Sequence, residues 1–549
     1  MHKYIFVVGG VISGVGKGAA TGSIGLILQS NGYKVTAIKI DPYVNIDAGT
    51  MNPIEHGEVF VTNDGDETDQ DIGNYERFLG ADILSCNYMT TGRVYQSVIE
   101  KERKLEYGGK CVEVVPHIPE EVIRRIELAA TKTKAEITLI EVGGTIGEYQ
   151  NVLFLEAGRI MKYKHPKDVL FVLVSYLPIP KMLGEMKTKP TQHAISTMNA
   201  AGIRPDFVIG RAEVELDNMR KQKISFLCNI ELQDVISAPD VTSVYEIPLD
   251  YSREGLGDRI LQKFNLSKRG ENLQQWKKMV GSIKSCEKDV KIVVLGKYFT
   301  SGSFSLSDSY ISVIEAIKHA AWFNKYNPKI TWLDSEEYEK QPLKVKELLQ
   351  FDGLIVPGGF GTRGIEGKIA AIKYARENKI PYLGLCYGMQ LAVVEFARNV
   401  CQMKNAHTTE INPTTNYPVI HTMNDQVDKI AIKKYGGSMR LGSYPALLQP
   451  DTISYKAYKA SKWFKVSKQA VINERHRHRY EFNNLFRDVL IKNGLIVAAT
   501  SLDGVLVEVI ELKDHPFFVG VQFHPEFKSR PLDPHPLFIE FIKVAMSKS

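Results

Sequence analysis

Residues 9–19 read GGVISGVGKGA and directly follow the apolar run Tyr4-Ile5-Phe6-Val7-Val8. A buried strand ending in glycines, then a lysine and small residues, predicts a strand, a phosphate-binding loop and a helix. Glycines let backbone N–H groups close on phosphate oxygens, and a helix N-terminus favours the anion. The stretch departs twice from the usual G-x-x-x-x-G-K-[ST]. Five residues, not four, separate Gly10 from Gly16, and Gly18 stands where a hydroxyl would meet a metal ion. The loop therefore predicts phosphate binding through Lys17, with metal ligands supplied from elsewhere. Two acids qualify. Asp71 ends the acidic stretch NDGDETDQD at 63–71, and Glu141 ends the apolar run that begins at Ile137. An acid at the carboxyl end of a buried strand lies where α/β sheets place ligand groups. Hard oxygen ligands of this kind suit magnesium.

Around this loop, short β-branched runs alternate with helical patterns. Tyr4–Val8, Val35–Ile40, Ile137–Glu141, Val169–Ser175 and Phe207–Ile209 read as buried strands, and Glu120–Thr131 has helical spacing. The alternation predicts a parallel sheet covered by helices. Near residue 265 the composition turns polar and basic, and a second strand–helix series starts at Lys291-Ile292-Val293-Val294-Leu295-Gly296. Gly353–Val356, Tyr382–Leu385, Ile496–Ala499 and Phe517–Gln522 continue it. The expected fold class is α/β with two doubly wound domains, 1–265 and 290–549, joined by a linker at 266–289.

The bulk properties narrow the function. A chain of 549 residues exceeds one hydrophobic core. A net charge of +6 over this length is too mild to imply nucleic-acid binding. Six cysteines without a C-x-x-C pair speak against a zinc site and fit a reducing compartment. No apolar run reaches membrane-span length, and the glycines and Lys17 interrupt any signal-peptide pattern. The expectation is a cytoplasmic protein with no membrane partner.

A second site is written at 382–390, YLGLCYGMQ. Gly384-Leu385-Cys386-Tyr387-Gly388 after a strand is a nucleophile elbow with cysteine in place of serine. The helix start would favour a thiolate and an oxyanion. The turn Pro357-Gly358-Gly359-Phe360-Gly361 offers a further backbone donor. A cysteine nucleophile needs a base and an orienting group. His524 and Glu526 stand two apart, on one side of an extended backbone. The basic cluster Glu474-Arg475-His476-Arg477-His478-Arg479-Tyr480 has three readings: a solvated face, a nucleic-acid patch, or recognition of a small carboxylate.

Taken together these blocks resemble the CTP synthase family, glutamine-dependent amidotransferases that convert UTP to CTP. The resemblance spans nearly the whole chain: GGVISGVGKG, KIDPYVNIDAGTM, ETDQDIGNYERF, EVGGTIGE and GEMKTKPTQH in the first half; VPGGFGTRGIEGK, LGLCYGMQLAVVEFARN, ERHRHRYEFN and VGVQFHPEF in the second. It implies a dethiobiotin-synthetase-like amidoligase domain followed by a class I, flavodoxin-like glutamine amidotransferase domain. ATP would be held by Gly14, Val15, Gly16, Lys17, Gly18 and Ala19, with Asp71 and Asp240. Lys17 and Lys39 would act on phosphates, and Asp71 and Glu141 would bind magnesium. UTP, or CTP as feedback inhibitor, would meet Ser13, Glu148, Tyr149, Gln150, Lys187, Thr188, Lys189, Pro190, Thr191, Gln192 and Lys223. Cys386, His524 and Glu526 would form the catalytic triad. Gly359, Tyr387, Gly388, Met389, Gln390, Glu410 and Arg479 would bind L-glutamine. Arg363 and Glu366 would lie in a lid loop tied to activation by GTP. A homotetramer, and possible assembly into filaments, is implied as well.

The chain departs from the family at three places. Gly147-Glu148-Tyr149-Gln150-Asn151 replaces G-D-I-E-S, so weaker CTP feedback is expected. Tyr387-Gly388-Met389-Gln390 replaces L-G-M-Q, and His407-Thr408-Thr409-Glu410 replaces N-S-T-E. Two rivals remain at this point: a cobyrinic acid amidase-like enzyme, and a non-catalytic nucleotide switch.

Overall fold

The computed structural model describes residues 2–182, 184–296, 300–301, 304–305, 307–423, 426, 437–464 and 470–547. The chain forms two units. One is Met1–Ala48 with Asp71–Val280, the other Gly49–Gln70 with Gly281–Ser549.

The sheet of the first unit is built from β1 (Lys3–Gly9), β2 (Val35–Asp41), β3 (Tyr88–Thr90), β4 (Ile137–Val142), β5 (Val169–Tyr176), β6 (Phe207–Ala212) and β7 (Val235–Pro239). Their order is β3-β2-β4-β1-β5-β6-β7, and every pair is parallel. Both faces are covered, which is why these strands read as continuous apolar runs with no alternation. The chain leaves β1 for β2 on one side of it and returns to β5 on the other. The carboxyl end of β1 is thus a switch point, where open α/β sheets hold ligands. The helix α1 (Lys17–Ser30) starts there, entered through Gly16 at φ 82°.

β3 and β7 were not expected from the sequence; β3 is only three residues long. The stretch read as a linker is built into the first unit as far as Val280. Its helix, Gln274–Lys284, buries Trp276 against Phe78 and Tyr245, with ring centroids 5.7 Å away in each case. The Trp276 indole N–H donates to the Tyr245 carbonyl at 2.8 Å. Burying about 200 Å² of aromatic surface at about 25 cal/mol/Å² contributes roughly 5 kcal/mol before ordering costs, enough to dock a short polar helix.

The second unit holds a nine-stranded sheet. Its strands are β8 (Lys288–Gly296), β9 (Tyr326–Asp334), β10 (Gly353–Val356), β11 (Tyr382–Leu385), β12 (Arg440–Leu448), β13 (Val471–His478), β14 (Leu495–Ser501), β15 (Val507–Leu512) and β16 (Phe518–Val521). The order is β9-β8-β10-β11-β16-β15-β14-β12-β13. The first five are parallel, the doubly wound part; the rest extend it antiparallel.

Residues 49–70 belong with this second unit although the sequence places them inside the first domain. Charge explains the attachment. Arg475 donates to the Asn63 side chain at 2.6 Å and to the Val61 carbonyl at 3.1 Å. Arg477 pairs with Glu67 at 2.7 Å. Breaking such a buried pair from one side costs about 3–5 kcal/mol, so the hairpin Phe60–Val61/Glu67–Thr68 is firmly tied.

Candidate active site

In the first unit, strand register does the positioning. Lys39 on β2 and Glu141 on β4 are register partners. Neighbouring strands lie about 4.8 Å apart, so the two side chains emerge together. Lys39 Nζ lies 3.2 Å from Glu141 Oε1 and also pairs with Asp71 in the first turn of the helix Gln70–Leu79. One turn on, the Tyr75 hydroxyl donates to Glu141 Oε2 at 2.5 Å, and Asn74 donates to Asp71 at 3.1 Å. Burial pushes the Glu141 carboxyl above its ordinary range, and the Lys39 charge opposes this. Burial likewise pushes the Lys17 ammonium down, against the pull of Glu141. Lys17 Nζ donates to the Gly144 carbonyl at 2.6 Å.

A buried carboxylate, Glu141, and a half-buried one, Asp71, converging on one cation are a donor set that fits a hard metal ion. The loop's missing hydroxyl is explained here too. A Cβ on Gly18 would overlap the Asp71 carboxylate, so the acid occupies the space a serine or threonine needs.

Ser13 and Gly14 lie exposed at the crest of the loop, Val15 is buried and Ala19 half-buried. Ser175, at the carboxyl end of β5, joins the loop to the KTKPTQ block. A Cβ on Gly10 would stand 2.8 Å from Ser175 Oγ, which hydrogen-bonds Thr191 at 2.9 Å. Thr188 and Thr191 are buried, Gln192 donates to Thr188 at 2.9 Å, and Lys189-Pro190 open the helix Lys189–Ala200. Lys187 pairs with Glu185 at 2.6 Å and Arg220 approaches it at 3.6 Å. These cations, with Lys223, hold the Glu185 carboxyl below its ordinary range. Asp240 accepts from Arg211 at 2.8 Å, and Arg211 stands 3.8 Å from the Cβ position of Gly16. Glu148 accepts from the Thr145 N–H at 2.9 Å and from Gln150 at 2.8 Å, whereas Tyr149 is 95% exposed.

Sequence reasoning passed over Tyr75, Ser175, Arg211 and Arg220. Ser175 and Arg211 had a usable signal, being polar residues at the carboxyl ends of apolar strands. Tyr75 and Arg220 look like ordinary helix residues.

In the second unit Cys386 sits at φ 48°, ψ −95°, between β11 and the helix Tyr387–Asn399. Such backbone costs about 1–3 kcal/mol and persists only where the surroundings enforce it. Here the Cys386 N–H is fixed to the Val521 carbonyl at 2.7 Å. A Cβ on Gly384 would crowd the Gly388 backbone at 2.8 Å, and one on Gly388 would overlap the Val356 carbonyl. Both elbow glycines are therefore sterically required.

Glu526 accepts from His524 Nδ1 at 2.7 Å, leaving Nε2 buried without a hydrogen-bond partner. Gly358 keeps His524 and the cysteine close. A Cβ there would lie 2.8 Å from the His524 ring and 3.8 Å from Cys386 Cβ. Burial works against the imidazolium, yet the Glu526 charge and that of the Cys386 sulfur outweigh it, and the His524 pKa is pushed up to about 10.

A cavity of about 570 Å³ opens on this group, and Gly359, Tyr387, Gln390, Glu410 and Arg479 share its lining. Gly388 and Met389 are buried outside that lining. Gln390 donates to the Tyr480 carbonyl at 3.0 Å, and Arg479 donates to Gln426 and Ser438 at 2.9 Å each. Gly49, Thr50, Pro53, Glu58 and Val59 contribute a wall that sequence reasoning did not foresee. The basic cluster is β13 and its continuation. Arg475 and His476 are fully buried, which removes the solvated-face and nucleic-acid readings for them; Arg477 and Arg479 reach the cavity. Arg363 pairs with Glu336, and Glu366 with Arg398 at 2.8 Å.

A cysteine elbow and a phosphate loop on one chain meet the needs of a glutamine-dependent ligase forming C–N bonds: one half frees ammonia, the other activates the acceptor. Residues 3–266 match the family model described as CTP synthase N-terminus, and 305–544 the one described as glutamine amidotransferase class-I. The chain is 48% identical to the CTP synthase of Clostridium kluyveri, over 99% of this chain and 98% of that one. It is 47% identical to that of Carboxydothermus hydrogenoformans, over 100% and 99%. A solved structure, the Trypanosoma brucei CTPS glutaminase domain with bound acivicin, is 36% identical over 47% of this chain and 95% of that one, with a TM-score of 0.42.

The chain belongs to the CTP synthase family, and its activity is the amination of UTP to CTP in pyrimidine biosynthesis, with ATP and glutamine as co-substrates. A match of this length leaves the cobyrinic acid amidase-like and nucleotide-switch readings without support. Among the described residues, no helix is long and apolar enough to cross a membrane.

Proposed function

We propose that the first unit phosphorylates the uracil O4 of UTP with ATP, and that ammonia from glutamine at Cys386 then displaces the phosphate. The observation that supports this most is the convergence of Asp71 and Glu141 on Lys39 beside Lys17. Phosphoryl transfer asks mainly for positioning and charge neutralisation. Lys17 and Lys39 supply fixed positive charge to the transferring group, while the loop N–H groups from Gly14 to Ala19 hold ATP phosphates. Magnesium would be held by Asp71 and Glu141, and when bound it neutralises phosphate oxygens. Lys187, Lys223 and the segment from Thr188 to Gln192 grip the UTP triphosphate, and Ser13 faces it across the loop. Asp240 lies on the adenine side.

In the second unit Cys386 Sγ attacks the glutamine amide carbon. The His524 imidazolium gives its proton to the departing nitrogen, so ammonia leaves and a thioester remains. Water then attacks the thioester with His524 as base, and glutamate departs. Glu526 fixes the ring throughout. Arg479 pairs with the glutamine α-carboxylate and Glu410 with its α-ammonium, while Gly359, Tyr387 and Gln390 line the amide. Gly388 and Met389 act from beneath, through the helix start. The resemblance extends to regulation and assembly: GTP activates through the loop carrying Arg363 and Glu366, CTP inhibits, the enzyme is a homotetramer able to form filaments, and it works in the cytoplasm.

The direct test supplies UTP, ATP and magnesium with either ammonia or glutamine and follows CTP by absorbance. CTP is expected from both donors; none from either would overturn the reading. For feedback, Gln150 and Glu148 bind each other, which occupies the amide. Gln150→Glu would offer a carboxylate to the cytosine amino group, and a charge-assisted hydrogen bond is about twice as strong as a neutral one. The CTP inhibition constant is expected to fall about threefold to tenfold. An unchanged constant would remove Gln150 from the CTP site.

A further inference from the structure

We propose that Tyr387 is a positioning residue that holds the loop 358–364 over the thiol by clamping Gly361. The inference rests on the glutaminase reading and adds to it a device that sets how firmly the glutamine site is formed. Gly361, at φ +80°, is gripped on both its polar groups. Its N–H donates to Glu410 Oε1 at 2.9 Å, and its carbonyl accepts from the Tyr387 hydroxyl at 3.3 Å. The two clamping side chains come from segments remote in sequence. Tyr387 follows the nucleophile directly, and both residues line the cavity with Cys386.

The same tyrosine also reaches past the loop. Lys368, itself buried, lies 5.5 Å from the centroid of the Tyr387 ring. Lys368 belongs to the helix Ile365–Glu377 that the loop enters. One side chain therefore touches the loop by its hydroxyl and the following helix by its ring face, where a cation is attracted to the π-electrons. At the loop's far end Arg398 is fixed to the Ala406 carbonyl at 2.6 Å and holds Glu366. Between β10 and the helix Ile365–Glu377, the clamp at Gly361 acts together with the Arg363–Glu336 pair to place the loop over the cavity. A glutamine bound at Glu410 uses the carboxylate that also holds Gly361, so the tyrosine hydroxyl keeps its hold on Gly361 while substrate occupies the site.

The test compares the full-length protein with Tyr387→Phe, which keeps the ring and loses the hydroxyl, and Tyr387→Leu, which loses both. Cys386 modification is followed by mass spectrometry with 6-diazo-5-oxo-L-norleucine, a glutamine-shaped electrophile. Iodoacetamide, a small electrophile with no need of the loop, calibrates thiol reactivity. In Tyr387→Phe the glutamine-shaped reagent is expected to require about fivefold more concentration for half-maximal rate, as for loss of one hydrogen bond. Its maximal rate relative to iodoacetamide should hold, and Tyr387→Leu should show a larger shift. Equal half-saturation in wild type and both variants would overturn the clamp, as would a loss confined to maximal rate. No labelling of Cys386 in the wild type would instead overturn the glutaminase reading itself, and the clamp with it.

Discussion

Cys386→Ala is expected to lower glutamine-dependent CTP formation by at least about 10³-fold, because the proposed thioester needs the Cys386 thiol. Turnover with added ammonia should stay within about twofold of wild type, since that route needs no nucleophile. Alanine is the right probe for a backbone reason. Position 386 has φ 48°, and alanine keeps the Cβ that already meets that strain, so the elbow should persist. The measurement is CTP absorbance with each donor, alongside thermal melting to confirm the fold. Loss of both activities with an unchanged melt would show that the two chemistries are not separable.

Lys17→Ala has the opposite signature. Both donors should fail, by about 10²-fold or more, the range seen when a fixed transition-state charge partner is removed. Lys17 opens α1 and reaches Gly144 on the segment after β4, so its ammonium stands at the carboxyl edge of the sheet beside Glu141. Without it, Lys39 remains beside Glu141, already engaged by three carboxylates, Asp41, Asp71 and Glu141. Hydrolysis of glutamine to glutamate in the second unit should persist, which separates this variant from an unfolded one. Normal turnover with ammonia would remove Lys17 from the phosphate chemistry.

The sequence made the parallel strands legible because buried parallel strands are unbroken apolar runs, as at Ile5–Val8 and Val169–Val174. The two nucleating motifs were legible for a related reason: glycines at Gly16, Gly384 and Gly388 are forced by geometry, and forced residues leave patterns. What did not show was anything set by long-range packing. Strand β13 hid inside a run of alternating arginine and histidine, because His476 pairs with Glu508, Arg477 with Glu67 and the strand's own Glu474 with His535, all remote in sequence. The partner of Glu141 could not be read either, since a register between β2 and β4 joins residues about a hundred positions apart. Tyr75 was missed on the same ground. The attachment of the hairpin at 60–68 to the second unit could not be read, because chain order does not show where arginines such as Arg475 and Arg477 capture a distant segment.

The overlap between Gly18 and Asp71 reaches beyond this loop. A side chain at 18 would meet the Asp71 carboxylate where it now stands, so the two positions compete for the one space beside the loop. Motif searches that score the loop alone would therefore discard chains of this kind, when the informative unit is a pair of letters more than fifty residues apart.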